Sequence, residues 1–397
     1  MLTAGQSSPP ARLPSLRRVP SGLVLWSSAV FALQIGVARL GYGLALPAIR
    51  TTLHGDYTLY GTINAASLGG YLAGALIAPL AMRVRQVVLW SSIVAGAALV
   101  ISGFAGDQLV FGAARTLFGF ASGVSLVAAA VQTLESVDAA KRGGASAVMW
   151  GGIGIGMVLS ALGADWLLRG LDWRIASLGT GVLTALVGIG YGVAARREAT
   201  SALAPQAAAQ QPLPLRRFGL LCLAYFSFGF AYIAYATFIV ASIDARLGVR
   251  GGQATIELLW ALYGIASVIG AIAIGRILHR PIGRGALVFA GLAGAAGCAV
   301  ASVVPVAAVA SAFLVGLGLT ATPTAATAFA RARSTPSTAA VAIAAVTVAV
   351  GIGQLIGPVA AGIAADRLGL NSVVLVAFAV YTLGVIFSAA DAVIAEH

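Results

Sequence analysis

The sequence predicts an all-α, polytopic membrane protein with twelve transmembrane helices arranged as two pseudo-symmetric six-helix bundles. Of its 397 residues, 59% are hydrophobic and only 9% are charged, whereas soluble domains have roughly 25% charged residues. Long apolar segments recur along the chain, each with roughly the 20 residues that cross a bilayer as a helix. A single long polar stretch after the amino-terminal segment divides these apolar segments into six and six.

Breaks at charges, prolines and glycine-rich turns separate the twelve candidate spans. A hydrocarbon core of about 30 Å requires roughly 20 apolar residues per helix, which each candidate provides. The first span follows a segment rich in arginine, but its apolar run is too long for a secretory signal peptide, so we expect an uncleaved span. The spans lie near residues 22–47, 57–80, 87–106, 109–133, 143–165, 173–194, 216–242, 253–277, 285–304, 306–330, 338–363 and 372–392.

The polar stretches define the predicted domains. Residues 1–21 are expected to be a disordered cytoplasmic tail, and residues 195–215, which contain Pro and Gln, a cytoplasmic linker. This linker separates an N-terminal six-helix bundle, residues 22–194, from a C-terminal six-helix bundle, residues 216–397.

The two halves also resemble each other weakly in sequence. The stretch "ARLGYGLALPAIRTTLHG" aligns with "AYIAYATFIVASIDARLG", which pairs Arg39 with Tyr232 and Tyr42 with Tyr235. Several such matches occur in the same order along both halves, which indicates a duplicated six-span unit. Parallel repeats of this kind are typical of transporters whose site lies at the repeat interface near the bilayer midplane.

The distribution of positive charge predicts the topology. The net charge is +12, and with the amino terminus inside, sixteen of the 24 basic residues fall in cytoplasmic segments and six in outer loops. This bias follows the positive-inside rule with both termini in the cytoplasm. Because the charge is dispersed over short loops without interleaved aromatic residues, we expect no nucleic-acid partner. The two remaining basic residues, Arg39 and Arg115, lie inside spans.

Several motifs resemble those of the major facilitator superfamily over essentially the whole chain. "RTLFGFASG" (115–123) resembles the R-x-x-x-G-x-x-x-G motif of the family's fourth span, and "DWRIASLGTG" (172–181) the opening of its sixth. "GQLIGPVAAGIAADRLG" (353–369) is similar to its eleventh-span pattern. The first span, together with "YIAYATF" in the seventh, looks most like the YbfB/YjiJ-type carriers. The resemblance implies a monomeric transporter of the bacterial inner membrane, with Arg115 in conformational coupling.

The sequence departs from this family at two places. The loop between spans two and three usually reads G-x-x-x-D-R-x-G-R-R, but here it is "GALIAPLAMRVRQ", without an aspartate. This departure puts the usual cytoplasmic gate charge pair in doubt. Span five reads "GGIGIGMVLSALGAD" and lacks the proline of the antiporter motif, which weakens an assignment as a drug antiporter.

Arg39 is the principal candidate for substrate binding. A guanidinium that faced lipid at this depth would cost at least about 3 kcal/mol, so we expect Arg39 to face a watery cavity or a partner. In an α-helix Arg39, Tyr42, Gly36 and Gly43 share one face, where the small residues leave room for a ligand. A planar guanidinium suits a carboxylate or phosphate. The alternative is a structural arginine bonded to carbonyls or to a neighbouring aspartate.

Span seven carries an aromatic stripe formed by Tyr225, Phe228, Tyr232 and Tyr235. Such a stripe is often packing, but a tyrosine hydroxyl inside a span requires a partner. The repeat places Tyr232 and Tyr235 opposite Arg39 and Tyr42, so we predict that these tyrosines line the same cavity. Gln354 in span eleven is a further candidate to hydrogen-bond a polar substrate.

Proton coupling requires a titratable group within the membrane. Most acidic residues fall at span ends, whereas Glu257 lies about one turn inside span eight, where burial favours proton uptake. The alternative is an interfacial glutamate that pairs with Arg246 or Arg250. We assign Glu257 and Arg115 to proton coupling as predictions.

The leading hypothesis is therefore a secondary active transporter of a small anionic or zwitterionic organic solute, driven by protons and working by alternating access. An efflux carrier for amphipathic compounds, with Arg39 structural, is the alternative. An intramembrane enzyme is disfavoured, because H-E-x-x-H, G-x-S-x-G and P-loop motifs are missing from the sequence. The linker is too short to be a sensory domain. Neither a cofactor nor a metal is expected, since the three histidines lie far apart.

Overall fold

A computed structural model of the chain describes residues 22–82, 86–138, 141–169, 172–197, 218–278, 285–303, 307–335 and 338–394, without the side chains of 164–169, 248–253 and 340. The secondary structure in these ranges is helical and contains no strand. The helices are α1 Gly22–Leu53, α2 Tyr57–Ala81, α3 Val87–Phe104, α4 Gln108–Glu135, α5 Arg142–Arg169, α6 Trp173–Arg197, α7 Gly219–Leu247, α8 Ala254–Ile277, α9 Ala286–Val303, α10 Ala308–Ala332, α11 Ala339–Leu368 and α12 Asn371–Ile394.

The helices confirm the predicted polytopic all-α class. Among the described residues, 11 helices are long and apolar enough to cross a membrane, and α9 is a shorter apolar helix. Two boundaries differ from the prediction. Helix α1 continues past Pro47 to Leu53, because neighbouring groups compensate for proline in transmembrane helices. Helices α7 and α8 belong to one helical run, Gly219–Ile277, although we predicted a break between them.

The predicted tail, residues 1–21, lies outside the described residues, as does most of the linker, from residue 198 onward. The helices on either side of the linker repeat the same packing pattern. In the first half α1 packs on α5, α2 on α4, and α3 on α4 and α6. In the second half α7 packs on α11, α8 on α10, and α9 on α10 and α12.

Glycines bring the helix backbones together within each half. Gly119 and Gly123 of the R-x-x-x-G-x-x-x-G stretch press against the backbone of Ser67 and Tyr71 in α2. A methyl group at Gly123 would lie 2.8 Å from the Ala75 amide nitrogen. Close backbone contact at small residues is the usual way in which membrane helices associate, since lipid tails compete with apolar side chains.

The two halves meet along three helix pairs. Gly43 in α1 lies against the backbone of α7, Gly61 in α2 against Pro358 in α11, and Gly154 in α5 against Gly264 in α8. The end of this seam that carries residues 53–57 is the predicted outer end. There the carboxylate of Asp366 in α11 accepts hydrogen bonds from the amides of Tyr57 and Thr58, at 2.9 and 2.8 Å.

Large apolar side chains cover much of the molecular surface. Examples are Phe104 in α3, Leu186 in α6 and Ile386 in α12, which are 73%, 53% and 56% exposed. A soluble monomer rarely exposes extensive apolar surface. The chain is therefore a multi-pass membrane protein.

Candidate functional site

Helix α1 changes its winding next to the buried arginine. Residues Ala32–Leu40 form a π-helical segment of nine residues, with Arg39 in its last turn. Such segments are rare and occur often at functional sites. Their wider turn rotates the residues that follow relative to an ideal α-helix, so side-chain directions no longer follow the spacing of an ideal helix.

This winding makes the predicted single face of α1 wrong. A side chain at Gly36 would point at Gly156 of α5, and one at Gly43 would point at Ala236 of α7. Tyr42 instead reaches α2, where its hydroxyl donates to the carbonyl of Tyr60 at 2.8 Å. Arg39 contacts the α2 residue Tyr71. The four residues thus face three different helices, α2, α5 and α7, and do not line one surface.

Arg39 is buried among protein groups and does not face lipid. The residue is 8% exposed, and its guanidinium carbon lies 3.7 Å from the centre of the Tyr71 ring. A cation over an aromatic face is attracted by the ring quadrupole. The Nη2 atom of Arg39 has no hydrogen-bond partner among the described residues. A buried, unpaired donor is unfavourable, and an anionic ligand group would satisfy it.

Two residues of the second half belong to the surroundings of Arg39. The amide nitrogen Nε2 of Gln354 in α11 donates to the Tyr232 hydroxyl in α7 at 2.9 Å. Arg39 interacts electrostatically with Tyr232. We call Arg39, Tyr71, Tyr232 and Gln354 the Arg39 cluster. It joins α1, α2, α7 and α11, so both halves contribute to it.

The aromatic stripe of α7 supports this cluster from one side. The Phe228 ring stacks on Tyr232 with centroids 4.8 Å apart, and Tyr225 stacks on Phe228 at 5.9 Å. These stacks restrict the rotamers of Tyr232. Tyr225 and Phe228 are therefore packing residues, while Tyr232 belongs to the Arg39 cluster.

Two predicted site residues lie elsewhere in this conformation. Tyr42 is 3% exposed and packs on Phe111 of α4. Tyr235 is fully buried in its own half, where its hydroxyl hydrogen-bonds Ser311 of α10 at 2.8 Å. The structure does not bring either tyrosine to the Arg39 cluster. Their substrate role stays a prediction.

Arg115 supports the irregular segment of α1 from α4. Its Nη2 donates to the carbonyl of Ala38 at 3.0 Å, one residue before Arg39. The residue is 6% exposed. Arg39 and Arg115 also interact electrostatically, so two like charges lie in the same part of the N-terminal half. A counter-charge from a ligand would relieve this repulsion.

Glu257 lies at a different depth. It is partly buried and lies three residues after Ala254, roughly 5 Å along α8, near the predicted outer end. Arg39 lies fourteen residues before Leu53, roughly 21 Å along an ideal helix from the same end. The proton-coupling role of Glu257 stays a prediction.

Sequence reasoning missed two polar residues of α2. Tyr71 forms one wall of the Arg39 cluster. Asn64 is 3% exposed and donates to the Thr237 hydroxyl in α7 at 2.8 Å, while its Oδ1 has no described partner. An amide in an otherwise apolar span was the available signal for Asn64, because such residues are unfavourable in lipid. Tyr71 gave no such signal.

The comparisons with known proteins identify the class. The crystal structure of a bacterial homolog of the human lysosomal transporter Spinster, inward-facing and unoccupied, shares 16% identity at a TM-score of 0.69, covering 93% of this chain and 96% of that one. The crystal structure of a mutant of the nucleoside transporter NupG shares 14% identity at a TM-score of 0.73, covering 93% and 98%. At these identities the likeness shows the fold alone.

The family follows from the sequence comparison. Residues 31–389 match the protein family described as "Uncharacterised MFS-type transporter YbfB". The chain therefore belongs to this family of major facilitator transporters, which confirms the resemblance seen in the motifs and points to a transporter rather than an enzyme. No curated protein sequence matches the chain.

Proposed function

We propose that the protein is a secondary active transporter that moves a small anionic or zwitterionic organic solute by alternating access. The observation that carries this proposal is the buried Nη2 donor of Arg39, which has no hydrogen-bond partner among the described residues, near side chains of both halves. A planar guanidinium binds carboxylate in a two-point geometry. The Tyr232 hydroxyl and the Gln354 amide supply neutral hydrogen-bonding groups on the facing side.

The contacts along the seam support alternating access. At the predicted outer end Asp366 closes α11 onto α2 through three hydrogen bonds, the third from the Thr58 hydroxyl at 2.6 Å. With the positive-inside topology, both termini are cytoplasmic and this contact closes the outer side of the seam. We further propose that the protein acts as a monomer in the bacterial inner membrane.

Transport by proteoliposomes tests the role of Arg39. We expect purified protein to take up radiolabelled organic anions under a pH gradient, measured with a panel of mono- and dicarboxylates. Arg39→Ala should reduce uptake at least tenfold, and Arg39→Lys should be intermediate because it keeps the charge but loses the planar fork. Arg196→Ala removes an exposed arginine that pairs with Gln86 and serves as the control. Wild-type uptake by both Arg39 variants would exclude the role.

We propose that Glu257 carries the coupling proton. Glu257→Gln should then abolish the acceleration of uptake by an imposed pH gradient while leaving exchange of labelled for unlabelled substrate intact. Glu135→Gln changes an exposed glutamate at the end of α4 and is the matched control. If Glu257→Gln responds to the gradient as the wild type does, another group carries the proton.

One observation favours a second candidate, an efflux carrier for amphipathic compounds. The stacked rings of Tyr225, Phe228 and Tyr232 form an aromatic surface, and Tyr71 holds the Arg39 guanidinium as a structural cation. Under this alternative neutral and cationic amphiphiles are exported, and Arg39→Ala leaves export unchanged. The same proteoliposomes, loaded with a fluorescent amphiphile, distinguish the two functions.

A further inference from the structure

A cavity of about 460 Å³ lies inside the N-terminal half. Its walls come from α1, α4, α5 and α6 with one residue of α3, and Arg39 is not among them. Along α1 the lining runs from Leu33 to Ile49, which is roughly 24 Å of helix. The volume lies within the range of about 300–1,000 Å³ for ligand pockets. The cavity is thus long and narrow, parallel to the helices.

The cavity opens sideways, between α5 and α6, toward the lipid-facing surface. These two helices barely contact each other, whereas the corresponding helices of the second half, α11 and α12, pack together. Leu159 of α5 and Leu183 of α6 line the cavity and are 52% and 51% exposed, so they flank its opening. Exposed apolar residues on both helices surround this opening. A ligand can therefore enter from the hydrocarbon phase.

Three glycines create the space. Gly41, Gly163 and Gly179 all line the cavity, and a side-chain carbon at any of them would meet no atom within 4 Å. Elsewhere the glycines of this chain often press against a neighbouring backbone, as Gly119 does against Ser67. The glycines of the cavity thus have no packing role that explains them.

One charged residue lies in this apolar wall. Arg115 lines the cavity and is 6% exposed. Its Nη2 donates a hydrogen bond to the carbonyl of Ala38, but its Nε has no hydrogen-bond partner among the described residues. Ser177 and Thr180 also line the cavity, whereas the hydroxyl of the lining residue Ser160 is already bonded to Met157 and Trp260. An unpaired buried guanidinium donor favours an anion.

We propose that this cavity binds a free fatty acid drawn laterally from the bilayer, with the carboxylate on the Arg115 guanidinium and the acyl chain along α1. The long apolar wall fits one hydrocarbon chain, and the single guanidinium complements one carboxylate. The opening between α5 and α6 provides the route. Arg39 does not line this cavity, although Arg115 donates to the carbonyl of the preceding residue, Ala38.

Photolabelling tests this assignment. Purified full-length protein in phosphatidylcholine liposomes is irradiated with a diazirine-bearing palmitic acid, and the labelled peptides are mapped by mass spectrometry. We expect label in lining segments of α1, α5 and α6. Palmitate should compete, whereas palmityl alcohol, which lacks the charge, should compete at least tenfold less well.

Variants separate the cavity from non-specific lipid contact. Gly41→Leu and Gly179→Leu fill the cavity and should each lower labelling at least tenfold, while Gly151→Leu, at another glycine with no atom within 4 Å of the added carbon and outside the lining, should not. Arg115→Gln should weaken binding about tenfold, the loss expected for one charge-assisted hydrogen bond. Size-exclusion profiles of each variant establish folding.

Three results would overturn the assignment. The first is wild-type labelling in both filling variants. The second is label confined to peptides outside the lining. The third is competition by dioleoyl phosphatidylglycerol but not by palmitate, which would identify a phospholipid headgroup as the ligand.

Discussion

The two halves of the chain place corresponding residues in corresponding positions, yet with different chemistry. Tyr42 reaches the second and fourth helices of its own half, through Tyr60 and Phe111. Tyr235, its partner in the repeat, reaches the corresponding two helices of its own, C-terminal half, α8 and α10, through Tyr263 and Ser311. In this conformation both tyrosines of the pair pack inside their own half.

The other repeat pair, Arg39 and Tyr232, lies at the seam, where both interact electrostatically. Here the halves differ, since one contributes a charge and the other a hydroxyl held by Gln354. Pseudo-symmetry thus brings corresponding residues of the two halves to the interface, and the difference between Arg39 and Tyr232 places the charge in the first half. The two halves thus have similar helix packing but contribute different polar groups at the seam, a guanidinium from the first half and a hydroxyl from the second.

Moving the charge between the halves should have the largest effect. Arg39→Tyr makes the two halves alike and should reduce anion uptake about 100-fold, equivalent to about 2.7 kcal/mol, because no cation then lies at the seam. Combining it with Tyr232→Arg returns a guanidinium to the same interface and should recover part of the uptake. Proteoliposome uptake measures both. A double variant no better than Arg39→Tyr would show that the position of the charge in α1 is essential.

Packing at equivalent glycines should be equally sensitive in the two halves. Gly74 of α2 presses on the Phe120 backbone of α4, and Gly270 of α8 presses on the Leu317 backbone of α10. Ala at either position should lower the free energy of unfolding by about 1–3 kcal/mol through overpacking. Thermal unfolding in detergent measures this, with Gly151→Ala as the neutral control. If the melting temperature of only one variant fell, the two glycines would not have equivalent packing roles in the two halves.

Removing the contact that joins the halves at the predicted outer end should open it. The Asp366 carboxylate lies at the N-terminus of α2, where a negative charge is stabilising by about 0.3–1 kcal/mol in addition to its hydrogen bonds. Asp366→Ala should raise severalfold the rate at which an impermeant maleimide labels Thr237→Cys from outside, in a background without Cys222 and Cys298.

The matched control for this experiment is Asp56→Ala. Asp56 accepts the Leu59 amide at the same helix end, at 2.7 Å, but within its own half. If the two variants were labelled at the same rate, the loss of a helix cap, rather than separation of the halves, would be what exposes the cysteine at position 237.

The smallest effects should distinguish the two tyrosine pairs. Tyr42→Phe and Tyr235→Phe each remove one hydrogen bond and should lower stability by about 1 kcal/mol with little change in transport. Tyr232→Phe removes the hydroxyl that Gln354 contacts and should raise KM for the anion severalfold. Uptake kinetics and melting curves on the three variants measure the contrast. If Tyr42→Phe changed KM as much as Tyr232→Phe, Tyr42 would contribute to substrate binding as well.

Part of the site was predictable because membrane burial restricts what a polar residue can do. Arg39 and Gln354 are polar side chains inside apolar spans, and lipid exposure of either is unfavourable. Tyr71 and the direction of Tyr42 were not predictable, since the π-helical winding of Ala32–Leu40 changes which neighbour each residue meets. The spacing rules of an ideal α-helix do not hold across such a segment.

The cavity near Arg115 illustrates the same limit. The motif R-x-x-x-G-x-x-x-G predicts close packing of α4, and Gly119 and Gly123 provide it. Nothing in the sequence indicates that α5 and α6 separate while α11 and α12 pack together. Separation depends on side-chain fit over many residues, which a single motif does not encode.

The sequence by itself determined the membrane class, the span pattern and the family, because hydropathy, charge asymmetry and the spacing of small residues are local properties that a bilayer enforces. Only the tertiary structure decided that Arg39 meets Tyr71, Tyr232 and Gln354, that Tyr42 and Tyr235 turn into their own halves, and that a lateral cavity adjoins Arg115. These outcomes depend on helix winding and on contacts between residues distant in the chain, where small differences in packing decide the direction of a side chain.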